Sequence, residues 1–381
     1  MPDYGCLPVA APRRVLACGA YLKNRACLVD GIRLCWSVLH GDLGETDSCL
    51  ALEQSVDALI RRADGEVHAI AHDLHPDFFS TRLALAVADR LGIPAVAVQH
   101  HHAHIAAVIA ARGISQPVIG IALDGVGLGV DGQAWGGEIL RVDGGLCAQH
   151  WQRLAALHPL QLPGGDSAAR EPWRIAAGLL HDAGRSADIM PRFAPHVGQE
   201  ATRIVRQMLE RGVNCPSTSS AGRWFDAAAA ALGLSLRQHF EAEAAMALEQ
   251  CASDWLRRNP RFDQPWCSLD LRSVVNDLFD ISASDPPAVG HGAATFHLAL
   301  ANGLAHTAIN AAHETGVGDI VFAGGCFMNT LLCELLQRRI CSAGLRVHVL
   351  PAADCGDSAI GLGQAWVAAC TLTQVPGVEN H

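Results

Sequence analysis

Two segments of the chain share one plan, and that repetition limits the folds open to it. Residues 15–36 read VLACGAYLKNRACLVDGIRLCW and residues 118–142 read VIGIALDGVGLGVDGQAWGGEILRV. Each is an apolar strand, a Gly-containing turn and a second strand. They are alike in design rather than in residue identity, which points to two structurally similar halves. Between them, helical periodicity over 47–63 and 78–92 alternates with apolar runs at 67–74 and 93–99. Helices dominate after residue 150. Late in the chain, 319–339 and 345–369 each read strand, turn, helix. The expected class is α/β with two lobes, residues 1–117 and 118–381, the last helix being free to return to the first lobe.

The chain has 381 residues, of which 50% are hydrophobic and 17% charged, so it can bury two cores of ordinary size. Its formal net charge of -10 argues against a broad nucleic-acid or anionic-membrane surface. No apolar run is long enough to span a bilayer. In the N-terminal stretch MPDYGCLPVAAPRRVLACGA the arginines follow the first apolar residues, an order unlike that of a signal peptide. The 14 cysteines lack C-x-x-C spacing and are scattered through apolar segments. They read as reduced thiols of a cytoplasmic protein.

The chemistry concentrates in AVAVQHHHAHIAAVIAARG, residues 95–113. His100 and His104 are four apart, so a helix puts both rings on one face, where they can share a metal ion. His101 and His102 point elsewhere. The same pattern also suits histidines that merely cap and hydrogen-bond a helix start. Asp124 ends a buried strand beside glycines, as a cleft carboxylate would. Asp357 lies between a strand and a helix, with Asp354 three residues earlier competing for its role; each acid could equally be a helix cap. Gly125, Gly127 and Gly129, together with Gly19 in ACGAY, let backbone amides approach an anion. Gly324 and Gly325 precede a helix start, which suits a phosphate. No Walker loop is present.

Seven segments together carry a family resemblance: DLHPDFFSTRLA (73–84), VQHHHAHIAAVIA (98–110), ALDGVGLGVDGQAWGGE (122–138), LPGGDSAAREPWR (162–174), SSAGRWFDAAAAALGL (219–234), GGCFMNTLL (324–332) and DSAIGLGQAW (357–366). They resemble, in order and over residues 14–370, the C-terminal transferase module of the HypF carbamoyltransferases of [NiFe]-hydrogenase maturation. That module is similar to the universal tRNA threonylcarbamoyltransferase subunit. The resemblance implies two ribonuclease-H-like lobes of the actin/Hsp70/sugar-kinase superfamily, with nucleotide and metal in the cleft. It implies His100, His104 and Asp357 as metal ligands, with Asp124 as a further ligand, and iron or zinc as the ion. His100, His104 and Asp124 become the catalytic candidates. Gly19, Lys23, Gly125, Gly127, Gly164, Gly165, Glu241, Gly324, Gly325 and Asn329 become the nucleotide-facing candidates. Cys326 departs from a usual Val, Ala242 from a Gly, Glu243 from a Gln, and Ser358-Ala359 from a Gly pair.

The implied activity is transfer of a carbamoyl group from carbamoyl-adenylate, made from ATP elsewhere, to the C-terminal cysteine of HypE. No membrane or nucleic-acid partner is implied. The acylphosphatase, zinc-finger and YrdC-like domains that accompany this module in HypF have no counterpart in the sequence, so a short form is expected. The alternatives are O-carbamoylation of a small molecule and a non-catalytic protein that binds HypE or senses nucleotide.

Overall fold

The computed structural model describes residues 4–373, so the outer ends of both expected lobes lie outside the described residues. Thirteen strands form two sheets. The first sheet contains β1 (Tyr4–Cys6), β2 (Val15–Ala17), β3 (Cys27–Asp30), β4 (Arg33–Trp36), β5 (Ala69–Asp73) and β6 (Ala95–Val98). The second contains β7 (Val118–Leu128), β8 (Ala134–Val142), β9 (Trp151–Ala156), β10 (Leu160–Gln161), β11 (Ser217–Thr218), β12 (Asp319–Ala323) and β13 (Arg346–Val349).

The shared design of the two hairpins becomes a shared topology. The five central strands run β4-β3-β2-β5-β6 in one lobe and β9-β8-β7-β12-β13 in the other. In each, three strands form an antiparallel meander and two more join in parallel on the far side of the first. This is the ribonuclease-H-like lobe, used twice. β2, β5, β12 and the first six residues of β7 are runs buried on both faces, as strands covered on both sides by helices must be.

The carboxyl ends of the six parallel strands fix where the chemistry sits. In open α/β sheets ligands bind beyond those ends. In the first lobe they deliver Cys18-Gly19, Asp73-Leu74 and Gln99-His100. In the second, β12 and β13 deliver Gly324-Gly325 and the segment from Leu350 to Asp357, and Asp124-Gly125 lie in β7 just past the residues that pair with β12.

Two helices fill the space between the sheets. Helix His100–Arg112 is buried on nearly every side, and helix Ile360–Thr371 packs along it. Ile105, Val108 and Ile109 of the first meet Leu362, Ala365, Trp366 and Ala369 of the second, in a core that also takes Val15 and Cys27 from one sheet and Val118 and Leu140 from the other. The last helix also packs on strands β2, β3, β5 and β6 of the first sheet. Contact is close because glycine permits it: a Cβ on Gly363 would lie 1.7 Å from the Ala103 carbonyl oxygen. Gln364, fully buried, accepts the Gly19 amide proton at 3.0 Å and donates to the Gly19 carbonyl at 3.3 Å. The segment carrying Asp357 is thereby tied to both the histidine helix and the first hairpin. The remaining helices, between residues 166 and 315, build a large separate core on the second sheet around Trp173, Trp224, Phe225 and Phe296.

Candidate metal and nucleotide site

Gln99 starts the histidine helix. Its side-chain oxygen accepts the His102 amide proton at 2.8 Å, which satisfies one of the free N–H groups of the first turn. Its amide nitrogen donates to the Leu128 carbonyl at 3.1 Å and to His101 Nδ1 at 3.0 Å. The capping reading thus applies to Gln99, and the four histidines divide by the helical period. His102 Nε2 donates to the Ala148 carbonyl at 2.6 Å. Burial pushes His102 down to about 4 and His101 well below its usual range, so both are neutral packing groups. His100 and His104 turn to the opposite side.

Both Nε2 atoms lie 3.1 Å from Asp124 Oδ2, and they stand 3.5 and 3.3 Å from Asp357 Oδ1. One donor atom from each of the four residues falls within a 4.8 Å span. Asp124 reaches the point because the β7–β8 ladder slips its register between Leu123 and Gly127, and a bulge of this kind re-aims a side chain. Asp357 does not cap the final helix, which has no side-chain cap; its carboxylate faces the histidine pair instead. Burial alone would raise both carboxyls. Hydrogen bonds from His100 and His104 outweigh it and hold Asp124 well below the usual carboxylate range and Asp357 below it. Burial would lower the histidines, but Asp73, Asp124 and Asp357 carry His100 well above its usual value, and Asp124 and Asp357 raise His104. Two imidazoles and two carboxylates, buried and convergent, form a donor set that fits zinc or iron.

Asp73 is a site residue that the motif spacing alone does not single out. Its Oδ2 lies 2.7 Å from His100 Nδ1, and it is fully buried. Its Oδ1 accepts the His75 amide proton at 3.0 Å. A carboxylate on Nδ1 fixes the tautomer that leaves Nε2 as a lone pair, and it makes that lone pair more basic. Asp73→Asn keeps the shape and removes the charge. Its expected effect is a loss of ~10–100-fold in zinc affinity at unchanged stoichiometry. Competition with a chromophoric chelator measures this, and an unchanged affinity would show that Asp73 only packs.

The glycines divide by what a side chain would strike. Nothing lies within 4 Å of a Cβ on Gly125, which faces open space. A Cβ on Gly127 would come 2.7 Å from the His100 ring, so Gly127 makes room for that ring. Gly324 adopts φ +98° and a Cβ there would meet the Leu123 carbonyl oxygen at 2.3 Å; one on Gly325 would come 3.2 Å from Asp124 Oδ1. The Gly324 amide donates to the Cys355 carbonyl at 3.0 Å, and the Gly125 amide to Asp124 Oδ1 at 2.8 Å. Gly164 and Gly165, both at positive φ, turn the chain from β10 into helix Asp166–Arg170, beside Arg174.

Asn329 is spent on the fold: its oxygen accepts the Leu332 amide proton at 2.8 Å, and its nitrogen donates to His297 Nε2 at 3.2 Å. Lys23 and Glu241, on opposite lobes, pair with each other at 2.9 Å across the cleft mouth. Lys23 and Ala242 both hold positive φ, which non-glycine residues seldom do. Each end of this bridge is therefore a strained turn.

Two family models match the chain: the HypF Kae1-like domain over residues 10–111, and the second subdomain of the carbamoyltransferase Kae1-like domain over residues 120–364. The carbamoyltransferase HypF homolog of Cupriavidus necator is 50% identical, with 96% of this chain and 94% of that protein aligned. Carbamoyltransferase HypF2 of the same organism is 44% identical over 93% of this chain and 46% of its own length. Among solved structures, T. kodakarensis HypF superposes with a TM-score of 0.85 at 29% identity, over 98% of this chain and 49% of that one. A full-length HypF in its phosphate- and nucleotide-bound form gives 0.83 at 29% identity, over 97% and 48%. The chain thus spans nearly all of one relative and about half the length of the others. It belongs to the HypF carbamoyltransferase family, as a member built on that family's Kae1-like module.

Proposed function

We propose that this protein transfers a carbamoyl group from carbamoyl-adenylate to the C-terminal cysteine of HypE, the step that leads to the cyanide ligands of [NiFe]-hydrogenase. The observation that carries the reading is the convergence of His100, His104, Asp124 and Asp357 at the carboxyl ends of six parallel strands, beside the Gly125 and Gly324-Gly325 turns. His100, His104, Asp124 and Asp357 would hold a metal ion, with Asp73 orienting His100. When bound, an iron or zinc ion supplies a Lewis acid beside the carbamoyl or phosphate oxygen.

The glycine turns leave room for the adenylate phosphate to lie close to the backbone of the second lobe. Lys23 and Glu241 face each other at the mouth, where the nucleoside enters. The thiolate sulfur of the acceptor attacks the carbamoyl carbon. A C–S bond forms, the C–O bond to the phosphate breaks, and AMP leaves with its electron pair.

No enzyme-bound intermediate is required. Burial pushes the thiol of Cys326, which adjoins Gly325, far above its usual range; it lifts Cys18 and Cys355 to about 12 and about 11. At neutral pH these are thiols, not thiolate nucleophiles.

The test is incubation of the protein with carbamoyl-adenylate and purified HypE, read by mass spectrometry of the HypE C-terminal peptide. The expected result is one carbamoyl adduct on the terminal cysteine. Consumption of carbamoyl-adenylate with HypE unmodified, and a small hydroxylated acceptor modified instead, would replace this reading by O-carbamoylation.

A further inference from the structure

We infer that Arg223, held by Asp226, is the residue that receives the phosphate of the donor nucleotide. This rests on the reading above that an adenylate enters the cleft.

The cleft is short of positive charge. Asp73, Asp124 and Asp357 bring three carboxylates to its centre. Lys23 is neutralised by Glu241. The amides of Gly125 and Gly324, the turn glycines best placed for an anion, already serve Asp124 and Cys355. With any metal at the centre matched by those three carboxylates, an adenylate phosphate is left without a cationic side chain there, and the helix whose first turn carries Arg223 packs against the Asp124-Gly125 turn.

Arg223 lies in the first turn of helix Ala221–Ala231. Ser220 caps that helix by accepting the Arg223 amide proton at 3.2 Å, and its hydroxyl also lies 3.1 Å from the Asp124 carbonyl oxygen. A Cβ on Gly222 would come within 3.3 Å of the Gly125 Cα. The helix start is therefore packed directly against the Asp124-Gly125 turn. Arg223 and Asp124 both lie near enough to Cys326 to act on it electrostatically.

The pair itself is incomplete as a structural element. Arg223 Nε lies 2.6 Å from Asp226 Oδ2, so the carboxylate grips the guanidinium at that one nitrogen. Asp226 Oδ1 accepts from Gln238 at 3.1 Å, which fixes the carboxylate. The Arg223 side chain keeps 16% exposure and Asp226 only 2%. No protein group takes the two Nη amines among the described residues. An arginine gripped at Nε with its Nη fork open is the arrangement that takes a phosphate through two parallel bonds.

Asp226 adds a second sign. Burial lifts it to about 6 although Arg223 and Gln238 pull it down. A raised folded-state value for an acid means that ionising it disfavours the folded state. That cost is present above about pH 6 and vanishes as the pH falls through the ordinary carboxylate range. A carboxylate that weakens the fold at neutral pH is better explained by what it holds than by what it stabilises.

The test compares AMP with adenosine as probes, by calorimetry on the zinc-loaded full chain. The wild type should bind AMP at least ~10-fold more tightly than adenosine, and Arg223→Gln should lose most of that preference with adenosine binding unchanged. Arg223→Lys keeps the charge without the fork and should recover part of it; it also carries the test should Arg223→Gln fail to fold. Asp226→Asn should weaken AMP binding while melting no lower than the wild type at pH 8. A merely structural pair would do the opposite. AMP binding that survives Arg223→Gln, or AMP and adenosine binding that fall together, overturns the assignment. So does a wild type that binds adenosine as tightly as AMP, with the cleft reading intact. A wild type that binds neither overturns both.

Discussion

Replacing His100 and His104 together by Ala should remove stoichiometric iron or zinc from the protein and abolish transfer with it. The two rings supply both nitrogen donors of the four-residue set. What remains is a pair of buried carboxylates, Asp124 and Asp357, which repel each other and which no cation then neutralises. Elemental analysis of the purified variant reads the outcome, and an unchanged metal content would place the ion elsewhere. Removing one partner of a buried charge pair costs about 3–5 kcal/mol, so the variant should also melt lower. A conservative control separates the two effects: His104→Gln keeps most of the volume and should lose metal with a smaller change in melting temperature.

The wild type carries a matching pH signature. A metal needs neutral imidazoles, while the neighbouring carboxylates hold the His100 proton well above its ordinary range. Protons therefore compete with the metal. Zinc affinity should rise with pH through neutrality, and binding should release protons into the buffer, measurable from the dependence of the binding heat on buffer ionisation enthalpy.

The fold and the convergence of His100, His104, Asp124 and Asp357 were legible in the sequence because their signals are local. The i, i+4 spacing of His100 and His104 places two rings on one face whatever surrounds the helix. Asp124 and Asp357 each stand where an apolar strand gives way to a turn, and in a parallel sheet that is the ligand edge. The strand–turn–strand units at 15–36 and 118–142 likewise announced two lobes of one topology.

Asp73 obeys the same rule as Asp124, since it ends the buried run of β5, and that rule could have selected it. Its role depends on β5 lying beside β6, with Asp73 opposite Val98, two residues before His100. Strand adjacency is a long-range fact that a sequence pattern does not carry. Arg223 was invisible for a related reason: in GRWFDAAAAALGL an arginine followed three residues later by an aspartate reads as an ordinary surface pair, and only packing against Gly125 gives it a direction. Gly127 and Asn329 show the converse. Both stand in motifs that suggest nucleotide contact, yet one clears space for a histidine ring and the other closes a helix. Glycine and asparagine have several uses, and the motif does not say which one applies.

Gly363 gives the sharpest test of how the lobes are joined. In an exposed helix, Gly→Ala is stabilising by about 1 kcal/mol, because alanine is the better helix former. Gly178, buried in helix Pro172–Asp182, still has room for the methyl: a Cβ there would meet Gln161 only at 3.5 Å, an ordinary contact. Gly178→Ala should leave the melting temperature unchanged or raise it. At Gly363 the added carbon would sit 1.7 Å from the Ala103 carbonyl oxygen, and backbone on the buried histidine helix cannot rotate away. The helices must separate, at a cost of about 3 kcal/mol, the upper end of what overpacking in a well-packed core exacts. The separation acts directly on the site, because one helix carries His100 and His104 and the other begins just after Asp357. Gly363→Ala should therefore lose metal affinity as well as stability, while Gly361→Ala, whose Cβ would lie 3.1 Å from the Arg25 carbonyl oxygen, should show a weaker form of both. Thermal unfolding and zinc titration of the three variants make the comparison. If Gly363→Ala melts and binds like the wild type, the close approach of the two helices is not what brings Asp357 to the histidine pair.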